Sequence, residues 1–232
     1  MSDAEAKELL DKIVGTVFGY QNPLTLEQAR QKFAFDLRLP QQVFDIKTNE
    51  PVWASSANPS RFISPSTKEQ MDKESDWMLP KEPVRNIQDI LDIWQKTNYT
   101  SAERSINSSN LAKSDGINNS ENVYMSVDIR NSKNVLFSEG GDSLENVVAI
   151  SRCGAISNSI RIEDSGLCMN SFSVVWSQKV SNSYFIQDCN DIMDCMFCSH
   201  ISGKQYCIAN MQFTEQEYKE LKKIVTHWIL AS

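Results

Sequence analysis

The sequence has no proline after Pro83 and only two histidines, His200 and His227, in 232 residues. No apolar run approaches the ~20 residues that a membrane helix needs. The N-terminus, Met1-Ser2-Asp3-Ala4-Glu5, has no basic stretch leading into an apolar one. Neither a signal peptide nor a membrane span is expected, and the chain reads as soluble. Positive charge is scarce as well: Lys plus Arg number 23 against 30 Asp plus Glu, a formal net charge of −7. Nucleic acid and anionic lipid both require clustered cations, so neither is expected as a partner. No P-loop, GxGxxG or GxSxG motif is present. What remains, with 41% hydrophobic and 23% charged residues, is a globular composition large enough for a core.

Six cysteines stand at positions 153, 168, 189, 195, 198 and 207. Disulfide frameworks belong to short secreted chains, so free thiols in a reducing compartment are the expectation. Cys195-Met196-Phe197-Cys198 is a single CxxC with Cys189, Cys207 and His200 nearby. A structural zinc site draws four ligands from two such motifs, and the cysteines are read instead as small core residues. Two histidines cannot supply three zinc ligands of the kind used by carbonic-anhydrase-type β-helices. The carboxylate pairs Glu163-Asp164 and Asp188 with Asp191 fall at turns, not in a glycosidase-like cleft. No catalytic residue, cofactor or metal is assigned, and a non-enzymatic protein is expected.

All seven prolines lie before residue 85, whereas six of the eight glycines lie after residue 110. Proline removes a ladder donor, so continuous sheet is possible only in the second half. Residues 1–36 read as two amphipathic helices, the second capped by Thr25 and Gln28. Residues 37–84 read as an extended arm with a hairpin around Thr48-Asn49-Glu50. Residues 85–97 form a helix expected to cap the second half, with Ile87, Ile90, Leu91 and Trp94 on one face.

The second half repeats every twelve residues. Asn98, Asn110, Asn122, Asn134, Asn146, Asn158, Asn170 and Asn182 are evenly spaced, and Asp194 continues the phase. Counting asparagine as column one, column three is bulky (Tyr124, Leu136, Val148, Ile160, Phe172, Tyr184, Met196). Column five is Ser126, Ser138, Ile150, Ile162, Val174, Ile186 and Cys198, and column eleven runs from Leu144 to Ile192. A unit this short must stack on its neighbours. The expected fold is therefore mainly β, a β-solenoid over 98–213 whose asparagines form a buried amide ladder. One unit closes a narrow coil, or two close a wider one. A helix over 214–232, opened by a Thr214–Glu217 capping box, is expected to close the far end.

The stretch Ser202 to Tyr218, SGKQYCIANMQFTEQEY, resembles an ending of the form KQYxIxNxQ(Y/F)(S/T)xEEY. That ending closes Asn/Cys-rich repeat proteins of unknown function from large tailed phages and uncultured bacteria. Many bacterial relatives carry N-terminal CxxC zinc ribbons, and this chain has none, which points to the phage side. The resemblance implies a virion structural protein, assembled in the host cytoplasm, with other virion proteins or further copies of itself as partners. Phe44, Trp53, Phe62 and Trp77, scattered through the arm, are the residues expected to dock on those partners. The alternative is a carbohydrate-binding or polysaccharide-degrading β-helix protein.

Overall fold

The computed structural model describes residues 1–56 and 61–231. Residues 57–60 of the arm lie outside the described residues. The chain begins with helices α1 (Asp3–Phe18) and α2 (Leu26–Phe33), followed by strands β1 (Gln41–Phe44), β2 (Pro51–Ala54) and β3 (Phe62–Ile63). Helices α3 (Pro65–Glu74) and α4 (Ile87–Trp94) and strand β4 (Thr100–Ser101) come next. The solenoid opens with β5 (Ser105–Ile106), β6 (Ser109–Ala112), β7 (Ile117–Asn118) and β8 (Glu121–Tyr124), and helix α5 (Glu215–Leu230) ends the chain.

The solenoid has about nine turns. Its strands pair in parallel at an offset of twelve residues: Val135 with Val147, Ile160 with Phe172, Tyr184 with Met196. One unit therefore closes one coil. The coil is made by a shorter repeat that the twelve-residue period conceals. From Asn107 to Ala209 every third residue has a positive φ, with glycine filling the series at 116, 140 and 203. Each coil is four sides of three residues joined at left-handed corners. A residue with a Cβ pays roughly 1–2 kcal/mol for this conformation, least for asparagine and aspartate. Eighteen of these 35 corners are Asn, Asp or Gly. The asparagine period is a corner period.

The residue after each corner points into the coil, where Ser or Cys alternates with aliphatic residues. Each inward serine hydroxyl makes two bonds. Ser126 donates to the Tyr124 carbonyl at 3.0 Å and accepts from the Ser138 amide at 3.0 Å; Ser138 donates to Leu136 at 2.9 Å and accepts from the Ile150 amide at 3.1 Å. Four cysteines, Cys153, Cys189, Cys195 and Cys207, occupy the same rows, with Cys189 and Cys195 donating their amides to Ser177 and Ser183 hydroxyls at 3.0 Å. Up to Ser138 the serines line one pair of opposite sides, for example Ser120, Ser126, Ser132 and Ser138. Beyond Leu144 they line the other pair, as in Ser159, Ser165, Ser171 and Ser177. Three consecutive inward aliphatics, Leu144, Val147 and Ile150, make the change, and Gly141 leaves room for them.

Column five and column eleven point inward, but column three does not. Tyr124, Leu136, Val148, Ile160, Phe172, Tyr184 and Met196 face outward and are buried beneath helices. α1 lays Leu10, Ile13, Val14, Val17 and Phe18 over them, joined by Phe33 of α2 and by Tyr218, Ile229 and Leu230 of α5. Polar pins fix this cover. Lys113 and the Tyr124 hydroxyl both donate to Asp3, at 2.8 and 2.9 Å, and Arg161 donates two bonds to Asp36, at 2.9 and 2.8 Å. α5 meets Asn182, Phe185, Phe197 and Tyr206 of successive coils, so it runs along the side of the stack. The last coil is closed by Met211–Gln212, antiparallel to Cys207–Ile208.

The Gly141 position tests this packing. A Cβ there would sit 2.4 Å from Leu144 Cδ1 and 3.1 Å from its Cγ. Gly141→Ala is expected to destabilise the fold by about 1–3 kcal/mol, and Leu144→Val in the same chain to recover part of the loss, read by thermal melting.

Candidate interaction surface

The arm is only partly extended. β1 and β2 form an antiparallel hairpin, and β3 pairs in parallel with β4, so the segment folds over the start of the solenoid. Phe62, 3% exposed, packs with Val43, Val52, Ala54 and Ala102. It is thus a core residue of the N-terminal cap, which corrects its assignment to partner docking. Trp53 is half-buried: its amide donates to Glu103 Oε1 at 3.2 Å and its carbonyl accepts from the Glu103 amide at 2.9 Å. Trp77 lies edge-on to Tyr99 and donates Nε1 to Asp72 at 2.6 Å. Phe44 remains on the surface, 56% exposed.

Two buried carboxylates hold this cap. Asp45 accepts from the Lys47 and Thr48 amides at 2.8 and 3.2 Å, the Ser64 amide at 2.7 Å and the Thr67 hydroxyl at 2.6 Å. Burial pushes its pKa up, but the bonds from Thr67, Ser64 and Lys47 together carry it far below the ordinary carboxylate value. Asp115 takes the forked guanidinium of Arg104 at 2.9 and 2.8 Å and the Ser55 amide at 2.8 Å, tying the hairpin to the second coil.

The helix expected to cap the first coil does not do so. α4 buries no residue. Ile87 is 68% and Trp94 55% exposed, and Ile90 and Leu91 are exposed beside them. Its amide-capping residue Asn86 and the Lys96–Glu82 ion pair shape its ends only. α5 shows the same spacing at Leu221, Ile224, Val225 and Trp228, of which Leu221, Ile224 and Trp228 are exposed. Trp228 also lies against Phe185 and Phe197.

The asparagine row is a corner feature, half-buried in most coils and exposed at Asn110, instead of a buried row. Asn110 donates to Asn122 at 2.7 Å, Asn122 to Asn134 and Asn134 to Asn146 at 2.8 Å, Asn146 to Asn158 at 3.0 Å, and Asn170 to Asn182 at 3.3 Å. The row breaks between Asn158 and Asn170, whose Oδ1 is buried without a partner. Asn98 precedes the coils, its amide donating to Trp94 at the end of α4. Asp194 is a corner of the same phase. A second row, Asn107 to Asn119 to Asn131, each step 3.3 Å, ends on Asp142. Its twelve-residue spacing is present in the sequence but hidden behind the longer series.

All six cysteines are free and buried. Burial raises the Cys153 thiol to about 11 and Cys168 to about 12. Cys198 alone is drawn the other way, by the Cys195 thiol's hydrogen bond. Among the described residues no group of three or more His, Cys, Asp or Glu is placed to hold a metal ion. His200 lies 3.7 Å from Asp188 at the surface, and His227 rests edge-on to Tyr20. Glu163 and Asp164 both receive Arg152, at 2.7 and 2.8 Å. An open polar groove of about 740 Å³ runs between the corners Asn107, Asn119 and Asn131 and the outward Glu121, Lys133 and Glu145. Lys133 is paired with Glu121 at 2.9 Å. Among the described residues no helix is long and apolar enough to cross a membrane. No protein-family model matches the chain, and no curated protein matches it.

Asp45 makes stability depend on acid. A carboxylate depressed in the folded state stabilises fully above its unfolded pKa, and that contribution is lost as pH falls below it. Melting temperature is expected to drop more steeply between about pH 4 and pH 2 in the wild-type chain than in Asp45→Asn, which starts about 2 kcal/mol less stable at neutral pH. For the cysteines, alkylation at pH 7 is expected to label none in the folded chain and all six after denaturation, and elemental analysis to find well under one zinc per chain.

Proposed function

We propose that the protein is a structural, non-enzymatic component of a tailed-bacteriophage particle, attached to neighbouring subunits through the apolar face of α4. That face is the observation that carries the reading. Helices shorter than ~12 residues are marginal in water without tertiary packing, and α4 has eight residues and buries none. Four large apolar side chains in one stripe on such a helix fit a partner's groove. The solenoid behind it suits a particle component, because its backbone bonds run along the stack and leave little slack. The phage assignment rests on the resemblance of residues 202–218, and phage assembly would place the chain in the virion. A carbohydrate-binding or polysaccharide-degrading role has one feature in its favour, the polar groove with Glu121 and Glu145 either side of Lys133.

Mass spectrometry of virions purified from a phage encoding the chain is expected to find it at a fixed copy number. Ile90→Asp with Trp94→Asp should lower its incorporation at least roughly tenfold, the effect of losing one or two buried apolar anchors. Absence from virions, or incorporation unchanged by the double substitution, would overturn this reading. Turnover of host polysaccharide by the purified chain would favour the second.

A further inference from the structure

We propose that two copies of this chain associate head to head through the open edge of the first coil, about a two-fold axis passing beside Ser109. In later coils the corner amide donates to the carbonyl thirteen residues earlier: Met125 to Ala112 at 2.9 Å, Phe137 to Tyr124 and Asn182 to Met169 at 3.0 Å. For Asn107 and Asn110 the equivalent carbonyls belong to Trp94 and Thr97. There the chain is the end of α4 and the turn after it. Among the described residues β5 pairs only with β7, and β6 only with β8. No backbone hydrogen bond of the described residues outside the strand ladders uses the Asn107 amide or the Ser108 carbonyl. By the period of the coil, the Asn110 amide and the Ser105 carbonyl face the same way, away from the strands that β6 and β5 pair with. The next side of the coil is covered, the Leu111 carbonyl accepting from the Met1 nitrogen at 3.3 Å.

The open edge is self-complementary. The Asn110 N–H and the Ser108 C=O flank Ser109. In an antiparallel pair related by a two-fold axis at Ser109, each N–H meets the other copy's C=O, and two bonds form. An unpaired edge of this kind is a template for strand addition. Its shape restricts what can add. The path turns at a corner after three residues, so a straight peptide overhangs the edge, whereas the first coil of a second copy presents a side of the same three-residue length. The far end of the solenoid cannot supply such a side, because Met211–Gln212 already covers it. First coil must meet first coil, which closes the assembly at two copies. Ser109 and Ile106, the latter 63% exposed, would be covered. This association does not depend on the particle reading.

Sedimentation velocity of the full chain over a concentration series tests it. The wild-type chain is expected to reach twice the monomer mass. Ser109→Glu and Ser109→Lys each set like charges face to face across the axis and should each give monomers, while an equal mixture of the two regains the dimer. Glu121, Lys133 and Glu145 fill the same column in the following coils, so either charge suits the fold. Ile106→Lys, on the adjoining side, is a second probe with the same expected loss, and Ser109→Ala should stay dimeric. A wild-type chain that remains monomeric, charged variants that remain dimeric, a mixture that stays monomeric, or open-ended growth would each overturn the proposal.

Discussion

A left-handed corner at every third residue sets the geometry of the whole solenoid. It turns the backbone through a square in twelve residues and directs main-chain N–H and C=O groups along the stack instead of across a flat sheet. The corner amide reaches back to the previous coil, while the outward residue's amide reaches forward, as Glu121 does to Ser132 at 3.0 Å and Tyr184 to Cys195 at 3.0 Å. The inward amide opposite a serine is taken up by that serine's hydroxyl. A square this small has room for one side chain per side. Two opposite sides then need small residues that can also bond, and serine meets both demands. Cysteine keeps the volume and weakens the bond.

Narrowness also explains why helices matter to this solenoid. With one inward side chain per side, the interior alone offers a thin apolar column. Much of the apolar surface lies outside, in the row from Tyr124 to Met196, and its burial depends on α1, α2 and α5. Fully burying side chains of this size contributes about 1.5–3 kcal/mol each, as an upper estimate. The long-range pins Asp3–Lys113 and Asp36–Arg161 fix the register between helices and coils. The ends are treated unequally: a hairpin locked by Asp45 and Asp115 covers part of the first coil, and a reversed strand covers the last.

The repeat length, the β-solenoid and the helices near both chain ends are legible in the sequence, because Asn110 to Asn182 recur without interruption. The triplet is not. Nearly half of the corners are residues such as Phe137, Trp176 or Lys179, which carry no left-handed signal and adopt the conformation because stacked neighbours impose it. The outward placing of column three is hidden for a related reason. An apolar residue beneath a helix and one inside a coil leave the same mark in a single sequence. Phe62 reads as part of a docking arm because its partners Val43, Val52 and Ala102 are dispersed over 60 residues of chain. The bare face of α4 gives the opposite error, since an amphipathic pattern shows which side is apolar but not whether anything covers it.

Residue-resolved amide hydrogen exchange tests the square coil most directly. Corners such as Asn131, Asp188 and His200 present exposed side chains, yet their amides donate to Asn118, Val175 and Gln187 at 3.0, 3.2 and 3.2 Å. Slow exchange at these amides, recurring with every third residue from 125 to 200, is the expected result. Fast exchange at the corners, with protection only at alternate residues as in a flat exposed sheet, would contradict it.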